Sequence, residues 1–397
     1  MDTRVFIEWI VVALVAALST CATERTLEMV HVIYRHGNRA PMSNYPTDSR
    51  SPDTWPLGLG QLTNIGKLQQ YHLGEWLRKR YGDILINTTY NPKEIYARSS
   101  DIDRTLMSAQ CNLAGLFPPK ENEIWFPNNM LTWQPIPIHT TMVTTDSLIG
   151  FPPCPKYAAL LNEVKKSDVV RQYEQTNKDF LDFVRNKSGL EDTTSLFDLV
   201  TVASSTYFEK VGNKQLPEWI NSTIFDKLTD LHNFEMEVRD GPDSVEMKRL
   251  GKGVLLNEIA ENMIAKAYSP ENKTYKMYTY VGADSVISRL LNAIGVFNNL
   301  VPPPASCVMI ELYKKSHRKR SYTVDIYYRN DSSVDPFVLT IPGCKTHCPL
   351  EMFLELTSDA RITEERWFEE CGGGKRDFQS YSHGASLHLN KGDSFDY

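Results

Sequence analysis

The sequence predicts an α/β protein that carries an inserted, mostly helical lobe. Three observations predict it. Short β-branched and aliphatic runs, Leu27 to Tyr34, Glu94 to Ala97 and Tyr275 to Val281, each lead through a polar turn into a stretch of helical periodicity. Between the second and third of these runs, Lys156 to about Lys266 reads as helix almost throughout, with Leu160, Leu161, Val164, Tyr173, Phe180, Phe183, Leu196 and Leu199 supplying apolar faces among many charges. Finally, 397 residues suffice for a large core and for two packed lobes.

Taken in order, the chain opens with Arg4, an apolar run from Ile10 to Leu18 and small residues to Ala22, the pattern of a secretory leader cleaved between Ser19 and Ala22. The run is shorter than the ~20 residues a membrane span needs, and no second run approaches that length. A membrane anchor or a buried helix is the alternative. Leu27 to Tyr34 predicts a buried strand, in which His31 reads as a hydrogen-bonded structural histidine. Residues 42 to 62, rich in Pro, Ser, Asp and Gly, predict a loop able to cover a site at the strand's end. Thr63 then suits an N-cap before a helix running to about Arg80, with Ile65, Leu68, Leu73, Trp76 and Leu77 on its apolar face. The strand at Glu94 to Ala97 runs into Arg98 through Thr105 and a helix containing Leu106, Leu113 and Leu116. Residues 117 to 155 are Pro-rich and irregular.

After the helical lobe, Gly282-Ala283-Asp284 turns from a strand into a helix with Ile287, Leu290, Leu291, Ile294 and Phe297 on one face. Val308 to Tyr313 and Tyr322 to Tyr328 alternate well enough for an antiparallel pair, Phe337 to Ile341 reads as a further strand, and a short helix begins at Leu350. The expected organisation is a leader over 1–22, a core from 23–150 and 267–370, the helical lobe over 151–266 and a loose tail over 371–397. The Gly run of the tail lacks the Lys-Ser/Thr ending of a phosphate loop.

A net charge of -6 argues against a general nucleic-acid binder. Five sequons, at Asn87, Asn186, Asn221, Asn272 and Asn330, fit an extracellular route and predict surface positions. Of the seven cysteines, Cys21 lies in the cleavage region, leaving an even set suited to an oxidising compartment. Cys344 and Cys348 are close enough for a small disulfide loop. A zinc site is the rival reading, but no second pair stands at ligand spacing. No metal or cofactor motif is evident.

The chemistry concentrates in Arg35-His36-Gly37-Asn38-Arg39-Ala40-Pro41, which sets an imidazole and two guanidiniums on the turn after the first strand. Arg offers planar donors suited to phosphate oxygens, and a neutral His can attack an electrophile. One of Arg98 and Arg104, at the end of the second strand, could point into the same pocket; alternatively both are solvated or paired with Asp101 and Asp103. Asp284 at a helix N-terminus reads as a cap, worth ~1 kcal/mol, or as a general acid beside an anion.

Arg35-His36-Gly37-x-Arg39-x-Pro41 resembles the opening motif of the histidine acid phosphatases, a branch of the phosphoglycerate-mutase-like superfamily. Trp55-Pro56-Leu57-Gly58, Gly60-Gln61-Leu62-Thr63, Tyr96 through Thr105, Trp133-Gln134-Pro135-Ile136-Pro137 and Pro342-Gly343-Cys344 with Cys348-Pro349 are similar to family segments in the same order. The resemblance is to the prostatic, lysosomal and insect venom type and covers nearly the whole mature chain. It implies a phosphoglycerate-mutase-like core with a mainly parallel sheet flanked by helices, and hydrolysis of phosphate monoesters through a phosphohistidine without a cofactor. His36 would be the nucleophile, Arg35, Arg39 and Arg98 would bind phosphate, Arg104 would be structural, and Asp284 would protonate the leaving oxygen. It also implies the disulfides Cys154–Cys371 and Cys344–Cys348, with Cys307 free or paired with Cys111, since Phe208 stands where its usual partner would be.

Ala283 stands where the family has a phosphate-donating histidine, and Asn38 where many relatives carry an acidic residue. The expectation is therefore a secreted acid phosphatase weakened at Ala283, acting on small-molecule or protein phosphate monoesters, with no nucleic acid partner and no membrane anchor in its mature form; a homodimer is left open. The alternative is a catalytically inactive secreted binding protein, such as a venom or saliva component. A mutase or sugar bisphosphatase shares the Arg-His-Gly chemistry, but the leader, sequons and cysteines argue against those usually cytosolic enzymes.

Overall fold

A computed structural model describes residues 25–50, 52–120, 123–125, 131–269, 271, 274–316 and 320–372. The leader, Asn272 and the tail from 373 lie outside the described residues. Strands β1 (Arg25–Arg35), β2 (Ile95–Ser99), β3 (Met277–Gly282), β4 (Cys307–Lys315), β5 (Tyr322–Arg329) and β6 (Phe337–Leu339) form one sheet in the order β2-β3-β1-β4-β5-β6, and β7 (Cys348–Pro349) pairs with β5. The half that ends at the site, β2-β3-β1, is parallel, and an antiparallel half continues from β4.

Both faces of β1 are buried, as a central strand requires. Met29 and Ile33 pack towards helices α8 (Val245–Tyr268) and α9 (Asp284–Ile294), whereas Val30, Val32 and Tyr34 pack towards α1 (Asn64–Tyr81) and α2 (Asp103–Leu116). His31 is buried and stacks on Tyr278 at 4.8 Å between ring centroids, with its Nε2 3.3 Å from Asn262 Nδ2. Thr63 caps α1 by accepting a hydrogen bond from Gly66 N. The inward face of α1 is Gly66, Gln70, Leu73, Gly74, Leu77 and Tyr81. Leu68 is instead exposed: the helix turns its glycines and Gln70 inward because it lies against backbone, and no room is left for a larger side chain there.

Helices α3 (Pro155–Lys165), α4 (Asp168–Thr176), α5 (Lys178–Ser188), α6 (Leu196–Val211), α7 (Ser222–Asp240) and α8 follow one another between β2 and β3. Leu181, Val184, Leu196, Leu199, Val202, Leu228 and Leu231 give the lobe a separate core. Two short helices, α10 (Leu350–Leu356) and α11 (Glu364–Glu370), pack on the same face of the sheet as α8 and α9. Cys371 is buried and bridged to Cys154, which ties the end of α11 to the start of α3, and Cys344 is bridged to Cys348. Cys111 and Cys307 are free thiols, and burial pushes the Cys307 thiol up to about 12. Asn87, Asn186 and Asn221 are exposed, and Asn330 is half-buried.

The turn after β1 and the first turn of α1 approach each other backbone to backbone. A Cβ on Gly37 would stand 2.2 Å from Gly66 O, and one on Gly66 would stand 2.1 Å from Asn38 O. Both contacts are to backbone, so neither neighbour can rotate away. Gly66→Ala is expected to cost about 3 kcal/mol as overpacking, read as a lower urea midpoint with unchanged m-value; a midpoint equal to wild type would mean that α1 and the turn can separate without loss.

Candidate active site

The turn that carries the chemistry is held by its backbone. Arg35 N donates to Ser306 O, His36 N to Gly282 O, and Ala305 N to His36 O, at 3.0, 3.0 and 3.1 Å, while Thr63 N donates to Asn38 O at 3.0 Å. Gln70 Nε2 donates to Arg35 O, Gly37 N to Ser108 Oγ, and Asn38 N to Gln69 Oε1. Every N–H and C=O from Arg35 to Asn38 has a partner once His36 Nδ1, 2.8 Å from Gly37 O, is counted as a donor.

That last bond fixes the tautomer. With its proton on Nδ1, His36 presents a bare Nε2. The ring is buried, and its pKa lies well below the usual 6.5, first because of burial and then because Arg104, Arg35 and Arg39 all repel a further positive charge. Phe208 from α6 lies beneath the group: the Arg39 guanidinium is 4.0 Å and that of Arg35 5.2 Å from its ring centroid, and His36 stacks at 6.5 Å. Cation–π contact in a buried setting is worth roughly 1–2 kcal/mol, so Phe208 offsets part of the mutual repulsion of the arginines.

Arg35 Nη2 pairs with Asp284 Oδ2 at 2.6 Å, and its Nη1 donates to Pro302 O. Burial would raise the Asp284 carboxyl, but Arg35, Arg239, His232 and His36 outweigh it and hold the group well below the usual carboxylate range. The third guanidinium is Arg104 and not Arg98. Arg104, in the first turn of α2, is buried, and its pKa falls to about 10 through burial, with Arg35 a further cause and Asp284 opposing. Arg98 points elsewhere because β2 alternates: Ile95, Ala97 and Ser99 are buried, Ile95 and Ala97 in the core with α1 and α2, so Tyr96 and Arg98 face the other side. There Arg98 Nη2 pairs with Asp146 Oδ1 at 2.9 Å and donates to Thr141 Oγ1 at 3.3 Å. Of the two, the structure thus brings Arg104 and not Arg98 beside His36.

Two residues were missed from the sequence, His232 and Arg239. Both lie on α7, and with Glu235 they line one pocket together with Arg39 and Asp284. Their spacing, i, i+3 and i+7, was the available signal. Arg239 Nη2 is 3.9 Å from Asp284 Oδ1. Ala283 is buried at the N-terminus of α9 and supplies no side-chain cap.

A neutral buried imidazole ringed by guanidiniums, at the carboxyl ends of parallel strands, defines an α/β protein with a cationic pocket where such folds place their ligands. The family model of the histidine phosphatase superfamily (branch 2) matches residues 26–329. The chain is 41% identical over 365 residues to lysosomal acid phosphatase of Xenopus laevis, covering 91% of this chain and 82% of that protein. It is 39% identical over 350 residues to human prostatic acid phosphatase, covering 87% and 88%. Its fold is similar to that of the phytase from Citrobacter braakii, with a TM-score of 0.64 at 18% identity, covering 88% of this chain and 99% of that one. The chain belongs to branch 2 of the histidine phosphatase superfamily.

The buried groups set a pH dependence with a definite sign. His31 and His232 are held at about 3 by burial, and His36 also lies well below 6.5. As pH falls below ~6.5, the unfolded chain takes up protons that the folded chain refuses, so stability falls by up to roughly 1.4 kcal/mol per pH unit for each histidine. Asp284 acts in the same sense, because its depressed pKa contributes stability that is lost as pH falls below ~4. Urea unfolding at pH 7, 5.5 and 4 is expected to show a steady loss; a flat profile would contradict the burial of these groups as neutral imidazoles.

Proposed function

We propose that the protein is a secreted acid phosphatase that hydrolyses phosphate monoesters through a phosphohistidine on His36, at a rate lowered by Ala283. The observation that carries this reading is the neutral, tautomer-fixed His36 inside the charge ring of Arg35, Arg39 and Arg104. Nε2 attacks phosphorus in line with the ester oxygen while the three guanidiniums take the equatorial oxygens, where transition-state charge is spread.

Asp284 is the general acid. A phosphoryl group competes with it for Arg35 and adds negative charge beside it, and both effects raise its pKa towards the protonated form. Its proton passes to the leaving oxygen as the P–O bond breaks and the N–P bond forms. Water then attacks the phosphohistidine, the Asp284 carboxylate takes the water's proton, and the N–P bond breaks to return His36 and inorganic phosphate. Secretion is supported by the leader over 1–22, the sequons and the two disulfides. Relatives named lysosomal and prostatic acid phosphatases support the same substrate class.

The test is hydrolysis of p-nitrophenyl phosphate at acid pH. His36→Ala is expected to reduce turnover to background, and Arg104→Ala to lower kcat/KM by roughly 10²- to 10³-fold as a lost preorganised donor. Arg98→Ala should leave kcat within about tenfold of wild type, since a group outside the site stabilises no transition-state charge, and lower the melting temperature instead, as Asp146 loses its partner. Ala283→His should raise kcat. If wild type and His36→Ala are equally inert and no phosphoenzyme can be trapped, the chain is not a phosphatase.

A further inference from the structure

The family resemblance assigns a phosphate-donating histidine to position 283, and here that position holds only the methyl group of Ala283. The pocket beside it nevertheless contains an imidazole, delivered from the helical lobe. His232 on α7 is 9% exposed and lines the same pocket as Arg39, Arg239 and Asp284. Asp284, Arg35, Arg239 and Arg39 are the charges that act on it, which sets it beside the carboxylate and guanidiniums of the site. His232 makes no hydrogen bond among the described residues, and its ring nitrogens are not sealed from solvent.

An imidazole largely buried in protein but with its nitrogens open to a pocket can be met there by water or by an anion. Its position is also fixed. The next residue, Asn233, accepts from Val301 N at 3.0 Å, one residue from the Pro302 carbonyl that holds Arg35. At the other end of α7, Asp240 accepts from Ser288 Oγ and Arg289 Nε, both at 2.6 Å, which clamps the helix to α9, the helix that begins with Asp284. Both anchors lie on the C-terminal side of His232 and hold that stretch of α7 against both halves of the site.

We propose that His232 is a phosphate-binding residue of this site, donating an imidazole N–H to a phosphoryl oxygen in place of the histidine that Ala283 replaces. The inference rests on the phosphatase reading only for the identity of the pocket, since binding of inorganic phosphate needs no turnover. The helical lobe then supplies a donor that the α/β core has lost, and the deficit at Ala283 is partial.

The experiment is calorimetric titration of the full chain with inorganic phosphate at acid pH. His232→Ala is expected to weaken phosphate binding by roughly 10- to 100-fold, the usual worth of a hydrogen bond to a charged group. His232→Gln, which keeps an N–H donor, should retain most of the affinity. Adding Ala283→His to His232→Ala should restore more affinity than it adds to wild type, because the two imidazoles would do the same work. In wild type, the His232 ring resonances should move on phosphate addition, a readout that does not require any variant to fold.

Wild-type affinity in both His232 variants, or a His232 ring signal indifferent to phosphate, would overturn the assignment. A chain that binds phosphate through His232 yet hydrolyses no p-nitrophenyl phosphate upholds it and sinks the phosphatase reading. Hydrolysis with phosphate affinity independent of His232 does the reverse.

Discussion

Complete pairing of the backbone from Arg35 to Asn38 is the constraint on which the rest of the molecule depends. Those four residues are held by the end of β3, by the 305–306 turn, and by side chains of α1 and α2. No single element could satisfy them, so the site exists only when sheet, both helices and the turn before β4 are assembled. The glycine contact at Gly37 and Gly66 follows from this: a side chain at either would push α1 away and leave buried polar groups without partners, each costing ~1–3 kcal/mol. Rigidity here also fixes the direction of the His36 imidazole, as the proposed in-line attack on a phosphoryl group requires.

Electrostatics impose the second constraint. Arg35, Arg39, Arg104 and Arg239 converge on a site that is largely withdrawn from water. The protein balances them with Asp284, with Phe208 beneath two of the guanidiniums, and with the Asp240 and Glu235 carboxylates beside Arg239. Asp284 is the member of this set placed to exchange its partner, because a phosphoryl group would take over its role towards Arg35. The same low dielectric that makes unpaired charge expensive makes such an exchange strong.

Much of this was legible in the sequence, and the failures have physical causes. The β1 run, the Thr63 cap and the turn into Asp284 are local patterns, and local patterns survive folding. The choice between Arg98 and Arg104 depended on where β2 ends. Arg98 is still on the strand, with its side chain on the face opposite Ile95 and Ala97, whereas Arg104 is already in a helix whose buried side includes Ser108 and Asn112. An error of a few residues in the boundary therefore exchanges the two. Leu68 failed because apolar periodicity finds only faces that bury side chains, and α1 buries glycines against backbone. His232 and Arg239 are far from the motif in the chain, and only the return of α7 over the end of the sheet brings them to it.

That return changes the significance of the inserted lobe. Phe208, His232 and Arg239 all come from it, so it forms a wall of the site and is not merely attached to the core. Phe208 shows what the lobe contributes: its ring supports Arg35 and Arg39. Loss of that ring would be felt first in the placement of the two guanidiniums, because each has its face on Phe208 and meets oxygen atoms through its edges.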